Sequence, residues 1–176
     1  KKSEKMKKKN KHFLITGGLG FIGSAIARKL LKNGFKISIF DNNSRGNISS
    51  IIDIKNKLKI INGDIKNYNQ VNKSLKNIDA VIHLAYINGT KYFYSKPAEI
   101  LDVAVKGMVN IIDGCIKNNI KELYLASSSE VYQTPDNIPT DEKASLKIPD
   151  IYNPRYSYGG GKIISELYGL HFAKKF

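Results

Sequence analysis

The feature that most constrains the fold of this chain is a regular alternation of short β-branched or apolar segments with longer segments of helical periodicity. We predict five strands, over residues 12–16, 36–41, 58–62, 80–84 and 122–127. Helical patterns lie between them, over residues 21–33, 67–76 and 98–118. Alternation of this kind is typical of repeated βαβ units, so we expect an α/β domain built on a doubly wound parallel sheet.

The segment of residues 133–154 interrupts this pattern. It contains four prolines and has no clear period, and a loop of this length in a compact domain is usually functional or disordered. A last helix is predicted over residues 155–176. We therefore interpret residues 12–176 as one domain that follows a short N-terminal tail.

The net charge does not by itself indicate a nucleic-acid partner. The chain of 176 residues has a net charge of +14, and residues 1–11 hold seven lysines and one glutamate, which together supply six of the fourteen charges. We interpret residues 1–11 as a solvated, disordered basic tail, and a nucleic-acid-binding arm is the minor alternative. No basic stripe interleaved with aromatic residues follows it, so we do not expect nucleic-acid binding.

Cysteine content and hydropathy indicate a cytoplasmic protein. The single cysteine, Cys115, lies in a mostly apolar stretch and is interpreted as a buried thiol. One cysteine excludes an internal disulfide and a multi-cysteine metal site, and we expect no metal. No apolar segment reaches the roughly 18 residues that a membrane span needs, so we expect no membrane association.

The strongest local motif is the glycine-rich segment of residues 16–23, between the first predicted strand and the first predicted helix. Gly18, Gly20 and Gly23 fit the spacing G-x-G-x-x-G, and Gly17 fits a variant spaced three and three. Glycines allow a tight turn and a close approach of the backbone to a pyrophosphate, which the helix N-terminus then faces. The motif predicts a dinucleotide-binding fold of the Rossmann type.

Asp41 is the predicted partner of the adenosine ribose of the dinucleotide. It ends the second predicted strand, 18 residues after Gly23, where a carboxylate accepts hydrogen bonds from the ribose hydroxyls. Its charge would repel a 2′-phosphate, which favours NAD over NADP. Arg45 leaves NADP open, because an arginine can accommodate that phosphate. The alternative for Asp41 is a turn or capping residue.

Tyr158 and Lys162 are spaced i and i+4 on the last predicted helix and therefore share a face. The ammonium would favour ionisation of the phenol, which would then serve as a general base. The alternative is an ordinary pair of side chains on the surface of a helix. The three glycines at 159–161 count against it, because each costs up to about 1 kcal/mol in a helix relative to alanine. Such a break is expected at functional sites, and a bulky substrate or cofactor against this face would explain it.

Residues 127–132, Ser-Ser-Ser-Glu-Val-Tyr, follow the fifth predicted strand at its carboxyl end. Doubly wound sheets bind ligands at that end, so a serine here would hydrogen-bond a substrate hydroxyl. The alternative is an ordinary serine-rich turn.

Taken together, these segments resemble, in order and spacing, the motifs of extended short-chain dehydrogenase/reductases, specifically the NAD-dependent nucleotide-sugar epimerase/dehydratase group. The resemblance spans residues 13–176. The matching segments are residues 16–23, Asp41-Asn42, Gly63-Asp64-Ile65, His83-Leu84-Ala85, residues 127–132 and Tyr158-x-x-x-Lys162.

The resemblance implies a NAD-dependent enzyme and a role for each matching residue. Tyr158 would be the catalytic base, Lys162 would hold the nicotinamide ribose and tune the tyrosine, and Ser128 would match the catalytic Ser/Thr. The other cofactor-binding residues would be Gly17, Gly20, Phe21 and Ile22 at the pyrophosphate, Asp41 with Asn42 at the ribose, Asp64 and Ile65 at the adenine, and Leu84 and Ala85 along the dinucleotide.

In this family the tyrosine takes a proton from the sugar C4 hydroxyl while hydride passes from C4 to the nicotinamide, which gives a 4-keto intermediate. An epimerase then returns hydride to the other face, a 4,6-dehydratase removes a C5 proton and eliminates water, and a decarboxylase loses a carboxylate. Glu130 would serve the last two reactions, but Ser129 stands where many dehydratases have Asp. The subclass, the nucleotide and the sugar stay open. A non-catalytic dinucleotide sensor is the alternative from another class, and the Tyr-Lys pair counts against it.

Several features depart from the family pattern. Residues 103–105 are Val, Ala and Val in a segment where the family often has Asn, and Gly161 replaces a small polar residue before the lysine. Family members also continue into a C-terminal substrate-binding domain that is missing from this chain, so residues 12–176 would be an incomplete NAD-binding domain. The resemblance, with apolar residues spread around the helices at 98–118 and 155–176, predicts a homodimer.

Overall fold

The computed structural model describes residues 11–173. Most of the predicted basic tail, residues 1–10, lies outside the described residues. Lys11 is described and belongs to the sheet region, because its carbonyl oxygen accepts a hydrogen bond from Lys36 N at 3.1 Å and its ammonium pairs with Glu122. The described residues form two compact units, here called the sheet unit (residues 11–85 and 110–126) and the helical unit (residues 86–109 and 127–173).

The sheet unit contains five parallel strands in the order β3-β2-β1-β4-β5. The strands are β1 His12–Thr16, β2 Lys36–Asp41, β3 Lys59–Asn62, β4 Ala80–His83 and β5 Glu122–Leu125. This is the order of a doubly wound Rossmann sheet, so the predicted fold class is confirmed. The five strands follow the predicted ones to within one residue at each end, except that β5 stops two residues early.

The described helices are α1 Phe21–Lys32, α2 Tyr68–Ser74, α3 Thr90–Ser95, α4 Pro97–Asp102, α5 Met108–Lys117 and α6 Tyr156–Ala173. The predicted helix over 98–118 is divided, because a π-helical segment, Val103–Gly107, separates α4 from α5. Helix α3 was not predicted, since six residues are too few for a helical period to emerge. Residues 133–154 contain no helix or strand, as the prolines predict.

The core of the sheet unit lies around β1 and β2. Phe13, Ile15 and Ile39 are buried there together with Ala27 of α1. Successive residues of β1 and β2 are buried, and a strand covered on both faces is expected to be almost continuously apolar. Cys115 of α5 is buried, and burial raises the pKa of its thiol to about 12. Within residues 11–173, none of the helices combines the length and the apolar character that crossing a membrane requires.

Candidate functional site

Four of the predicted cofactor-binding segments lie at the carboxyl edge of the sheet. Because the strands are parallel, their carboxyl ends share one edge, and the register aligns Thr16 of β1 with both Phe40 of β2 and His83 of β4. The glycine turn follows β1, Asp41 ends β2, and the segments that begin at residues 63 and 84 follow β3 and β4. The structure therefore brings these four predicted segments together at one edge of the sheet.

The glycine turn is packed so tightly that side chains are excluded from it. Gly17 has a φ of +68° and donates its N–H to Phe40 O at 2.9 Å. A Cβ at Gly17 would lie 2.8 Å from the backbone nitrogen of Ala85, and one at Gly23 would lie 2.4 Å from the Gly17 carbonyl oxygen. These positions require glycine, and the backbone of the turn is left bare as a result.

Helix α1 begins directly after this turn, and its N-terminus is open. The capping position, Gly20, has no side chain to cap the first N–H groups, and the first turn contains no acidic residue. Phe21 and Ile22 are exposed, at 93% and 61%. The free N–H groups and the positive end of the helix dipole form a site suited to an anion such as a pyrophosphate.

Asp41 is buried, and its carboxylate already accepts two hydrogen bonds from the backbone. Its Oδ2 accepts a hydrogen bond from Leu19 N at 3.0 Å and its Oδ1 accepts one from Asn43 N at 2.9 Å. An ionised carboxylate offers about four lone-pair positions, so two acceptor positions remain for ribose hydroxyls. Asn42 is exposed, and its Oδ1 accepts a hydrogen bond from Ser44 N at 3.1 Å.

The segment after β3 and the segment after β4 are held by side-chain hydrogen bonds. Asp64 Oδ1 accepts from Lys66 N at 2.8 Å, and the carbonyl oxygen of the buried Ile65 accepts from Asn110 Nδ2 at 2.9 Å. Leu84 N and Ala85 N both donate to Thr16 Oγ1 at 3.1 Å. The backbone of residues 84 and 85 is therefore fixed beside Gly17.

The helical unit contains the predicted catalytic residues. Tyr158 on α6 is buried and hydrogen-bonds the side chain of Ser128. Its ring stacks on Phe93 at 5.1 Å between centroids and contacts Tyr86 edge to face, also at 5.1 Å. Burial raises the pKa of Tyr158, the charge of Glu130 raises it further, and the hydrogen bond with Ser128 lowers it. The pKa of Tyr158 is therefore raised, whereas the sequence predicted that a neighbouring ammonium would lower it.

Lys162, one turn after Tyr158, lies mainly against a different aromatic ring. Its Nζ is 4.0 Å from the ring centroid of Tyr86 and 5.9 Å from that of Tyr158. Burial lowers the pKa of Lys162 to about 8, and the carboxylate of Glu166 opposes this change. Glu166 in turn accepts a hydrogen bond from Ser127 Oγ.

Glu130 is paired with an arginine that the sequence prediction did not include. Arg155 Nη2 lies 3.3 Å from Oε1 and 3.2 Å from Oε2 of Glu130. Ser128 caps the short 3₁₀ turn Ser129–Val131, since its Oγ accepts from Glu130 N at 3.2 Å. The turn and the ion pair together fix the position of the Glu130 carboxylate.

Two of the three glycines of α6, Gly159 and Gly161, have a reason different from the predicted one. A Cβ at Gly161 would lie 2.3 Å from the Tyr86 hydroxyl and 2.6 Å from Ala104 Cβ, and a Cβ at Gly159 would lie 2.8 Å from the Glu130 carbonyl oxygen. A bulky substrate or cofactor is therefore not required to explain them. Close packing of the protein itself excludes side chains at these positions.

The sequence prediction missed Tyr86, Phe93 and Arg155, which contact Tyr158, Lys162 or Glu130. Tyr86 follows Ala85 directly, so its place after the end of a central strand was the one available signal. Phe93 lies on the unpredicted helix α3, and Arg155 precedes α6 by one residue, where nothing in the local sequence indicates a partner.

Three features together define a dinucleotide-binding protein of the extended short-chain dehydrogenase/reductase class. They are the strand order, the glycine turn followed by a helix without a side-chain cap, and the buried Tyr158 and Lys162. The family model for the NAD dependent epimerase/dehydratase family matches residues 13–176. The chain belongs to this family.

Individual relatives of this chain carry out different reactions. It is 33% identical to a UDP-glucose 4-epimerase of Cyamopsis tetragonoloba, over 87% of this chain and 44% of the relative. It is 34% identical to a UDP-N-acetyl-alpha-D-glucosaminuronate decarboxylase of Bacillus cytotoxicus, over 93% and 50% of the two chains. The solved structure of a UDP-N-acetylglucosamine 4-epimerase of Methanobrevibacter ruminantium, in complex with UDP-N-acetylmuramic acid, matches with a TM-score of 0.83 and 30% identity, over 94% and 51% of the chains. The chain thus spans about half the length of these relatives.

Proposed function

We propose that this chain is the NAD-binding part of an enzyme that modifies the sugar of a nucleotide sugar through a 4-keto intermediate. The observation that carries the proposal is the pair of buried side chains, Tyr158 and Lys162, one helical turn apart, with Lys162 Nζ 5.9 Å from the ring centroid of Tyr158. Membership of the epimerase/dehydratase family and the nucleotide-sugar relatives support it.

The residues of the sheet unit fit a bound NAD. The open N-terminus of α1 would hold the pyrophosphate, and the free acceptor positions of Asp41 would take the adenosine ribose hydroxyls. Asp64 and Ile65 would lie at the adenine, while Leu84 and Ala85 would line the dinucleotide. When bound, NAD supplies the acceptor for the hydride that leaves the sugar.

Tyr158 would accept the proton of the sugar C4 hydroxyl, and for this its phenol must be ionised. Burial and the charge of Glu130 oppose ionisation in this structure, because both raise the pKa of Tyr158. A nearby cation is therefore needed, and the ammonium of Lys162 lies 5.9 Å from the Tyr158 ring centroid. Ser128 favours the phenolate by hydrogen bonding, and it is the residue that we expect to contact the sugar hydroxyl.

The second candidate function is that of a 4,6-dehydratase or decarboxylase. The proximity of the Glu130 charge to Tyr158 favours it, as does the 34% identity to a decarboxylase. The pairing of Glu130 with Arg155 and the presence of Ser129 favour a simple epimerase, in which no C5 proton has to be removed. A non-catalytic dinucleotide sensor would not need the buried Tyr158 and Lys162.

The first test is NAD binding and turnover by the complete protein. We expect binding of NAD in titration calorimetry and conversion of at least one member of a panel of nucleotide sugars, read by NMR. Tyr158→Phe should leave NAD binding nearly intact and remove most turnover, because the ring still packs on Phe93 but the base is gone. A Tyr158→Phe variant with nearly the wild-type rate would contradict the assignment of the base.

The subclass is tested by solvent deuterium. In a 4,6-dehydratase the Glu130 carboxylate would remove the C5 proton of the 4-keto intermediate, and base catalysis of this kind contributes a factor of roughly 10² to 10⁴. Deuterium at C5 of the wild-type product without release of CO₂, lost in Glu130→Gln, would establish the dehydratase reaction. Deuterium at C5 with release of CO₂ would establish the decarboxylase, because loss of CO₂ from the 4-keto acid leaves an enolate that takes a solvent proton at C5. A product without deuterium at C5 would leave the epimerase.

We also propose that the complete protein is a cytoplasmic homodimer that associates through the helices of residues 98–118 and 155–176. Leu167 and Leu170 of α6 are exposed, at 52% and 66%, and large exposed apolar side chains grouped on one helix are typical of an interface. Sedimentation of the complete protein at micromolar concentration should give the mass of a dimer. A monomer would contradict the proposal.

A further inference from the structure

Tyr86 places its ring against the ammonium of Lys162, and none of the sequence motifs includes it. Its ring centroid lies 4.0 Å from Lys162 Nζ, which is well inside the range of about 6 Å in which a cation and a ring face attract each other. The same ring contacts Tyr158 edge to face at 5.1 Å. Tyr86 therefore touches both predicted catalytic residues of α6.

The hydroxyl of Tyr86 does not explain why a tyrosine is present. It is buried and has no hydrogen-bond partner among the described residues, and a buried polar group without a partner is unfavourable. Burial also raises the pKa of Tyr86, so this hydroxyl stays neutral and carries no charge toward Lys162. The contribution of Tyr86 must come from its ring.

Helix α6 has a glycine, Gly161, where it packs against this ring. A Cβ at Gly161 would lie 2.3 Å from the Tyr86 hydroxyl oxygen and 2.6 Å from Ala104 Cβ, so a side chain at position 161 requires the Tyr86 ring, Ala104 or the helix itself to shift. Glycine inside a helix costs about 1 kcal/mol relative to alanine. This glycine, Gly161, directly precedes Lys162 and lies where the helix packs against Tyr86.

We propose that Tyr86 is a positioning residue, which holds the ammonium of Lys162 by its ring face, and that Gly161 is present to admit that ring. This role rests on the proposed function, because Lys162 is useful only where a nicotinamide ribose and a catalytic tyrosine have to be served. The long, flexible lysine side chain has many rotamers. A fixed aromatic ring at one side of the ammonium reduces the number of rotamers that Lys162 populates. It also directs the N–H groups that do not face the ring.

The test is a double-mutant cycle with Tyr86→Leu and Lys162→Met in the complete protein. Tyr86→Leu keeps an apolar side chain but removes the ring, and we expect kcat/KM to fall and the dissociation constant of NAD to rise, each by about tenfold, which is the scale of a desolvated cation–π contact. In the Lys162→Met background, the same substitution should change either quantity by less than about twofold, because coupled residues are not additive. The affinity for NAD is measurable even where turnover is lost.

Tyr86→Phe provides the conservative rescue. It keeps the ring and removes only the unpartnered hydroxyl, so it should stay within about twofold of the wild type in kcat/KM, and its thermal unfolding midpoint should not fall. Phe93→Leu is the matched control, because it also removes an aromatic ring that contacts Tyr158. The cation that lies over the Phe93 ring is the guanidinium of Arg155, 5.9 Å from the ring centroid. The effect of Phe93→Leu should add to that of Lys162→Met.

Two results would overturn the positioning role while leaving the proposed function intact. One is an additive cycle, in which Tyr86→Leu is as harmful without the ammonium as with it. The other is a Tyr86→Phe variant as impaired as Tyr86→Leu. A wild-type protein that neither binds NAD nor converts a nucleotide sugar would instead overturn the proposed function, and the role of Tyr86 with it.

Discussion

The hydroxyl of Thr16 and Nδ1 of His83 lie 2.7 Å apart, buried between the neighbouring strands β1 and β4. Thr16 Oγ1 already accepts hydrogen bonds from the backbone nitrogens of Leu84 and Ala85. A hydroxyl has two acceptor positions and one proton, so its proton must go to His83. Nδ1 is thus the unprotonated nitrogen, and the neutral imidazole carries its proton on Nε2.

Thr16→Val should therefore destabilise the protein more than its similar shape suggests. Leu84 N keeps a bond to the Thr16 carbonyl oxygen at 3.1 Å, but Ala85 N and His83 Nδ1 lose their partner. We expect a loss of about 2 kcal/mol or more in the free energy of unfolding, since each unsatisfied buried group costs about 1–3 kcal/mol. Thr16→Ser keeps the hydroxyl and should lose only about 0.8 kcal/mol for the methyl group. Urea unfolding of both variants measures the difference, and a valine variant at least as stable as the serine variant would refute this arrangement.

The glycines of α6 should respond differently to alanine. Gly160→Ala should be neutral or stabilising by up to about 1 kcal/mol, because helix propensity improves and the nearest atom, 3.3 Å from an added Cβ, belongs to the flexible side chain of Ile148. Gly159→Ala and Gly161→Ala should destabilise by about 1–3 kcal/mol, as overpacking does. At Gly159 the clash is with backbone, and at Gly161 it is with Ala104 and Tyr86. Thermal unfolding of the three variants is the measurement, and equal midpoints would show that packing is not the reason for these glycines.

Much of the fold follows from local sequence, because a strand of a covered parallel sheet is recognisable from its apolar residues alone. Strands β1 and β2 begin and end where the apolar runs of residues 12–16 and 36–41 do. The turn at Gly17 was equally predictable, since a backbone with positive φ and no room for a Cβ leaves glycine as the only choice. Short helix α3 has no comparable local signal.

The side-chain environment of the site was less predictable, because it depends on residues far apart in sequence. The spacing of Tyr158 and Lys162 indicates that they share a helix face, but not that the Lys162 ammonium lies closer to Tyr86. It also does not indicate burial, which raises the pKa of Tyr158. Arg155 and Glu130 are 25 residues apart, and only tertiary packing brings them together.

Asp41→Ala should weaken NAD binding and reduce the discrimination against NADP. In the proposed cofactor site the substitution removes the acceptors for the ribose hydroxyls and the charge that would repel a 2′-phosphate. We expect about a tenfold or greater loss in NAD affinity, as for a charged hydrogen bond. Asp53→Ala is the control, since Asp53 is exposed and pairs with Arg28 at 2.7 Å; it should bind both dinucleotides as the wild type does. Titration calorimetry with each dinucleotide is the measurement. A wild-type protein that prefers NADP would refute the role of Asp41.

Ser128→Ala and Glu130→Gln should move the pH dependence of turnover in opposite directions. In the proposed function Tyr158 acts as a phenolate, so kcat/KM should rise as the pH passes through its pKa in the free enzyme. The hydrogen bond with Ser128 lowers the pKa of Tyr158, and the charge of Glu130 raises it. Loss of the serine hydroxyl must therefore shift the rising limb of the profile to higher pH, and loss of the carboxylate charge must shift it to lower pH.

The pH at which this limb rises distinguishes an effect on the pKa of Tyr158 from other roles of Ser128 and Glu130. In the proposed function Ser128→Ala also removes a contact with the sugar hydroxyl and should lower the plateau, but a lower plateau alone does not displace the limb. Glu99→Gln is the control, because Glu99 is exposed on α4 and pairs with Lys96 at 3.1 Å; its profile should coincide with that of the wild type. If both site variants shift the limb in the same direction, or neither shifts it, the ionisation of Tyr158 does not control turnover and another group must be the base.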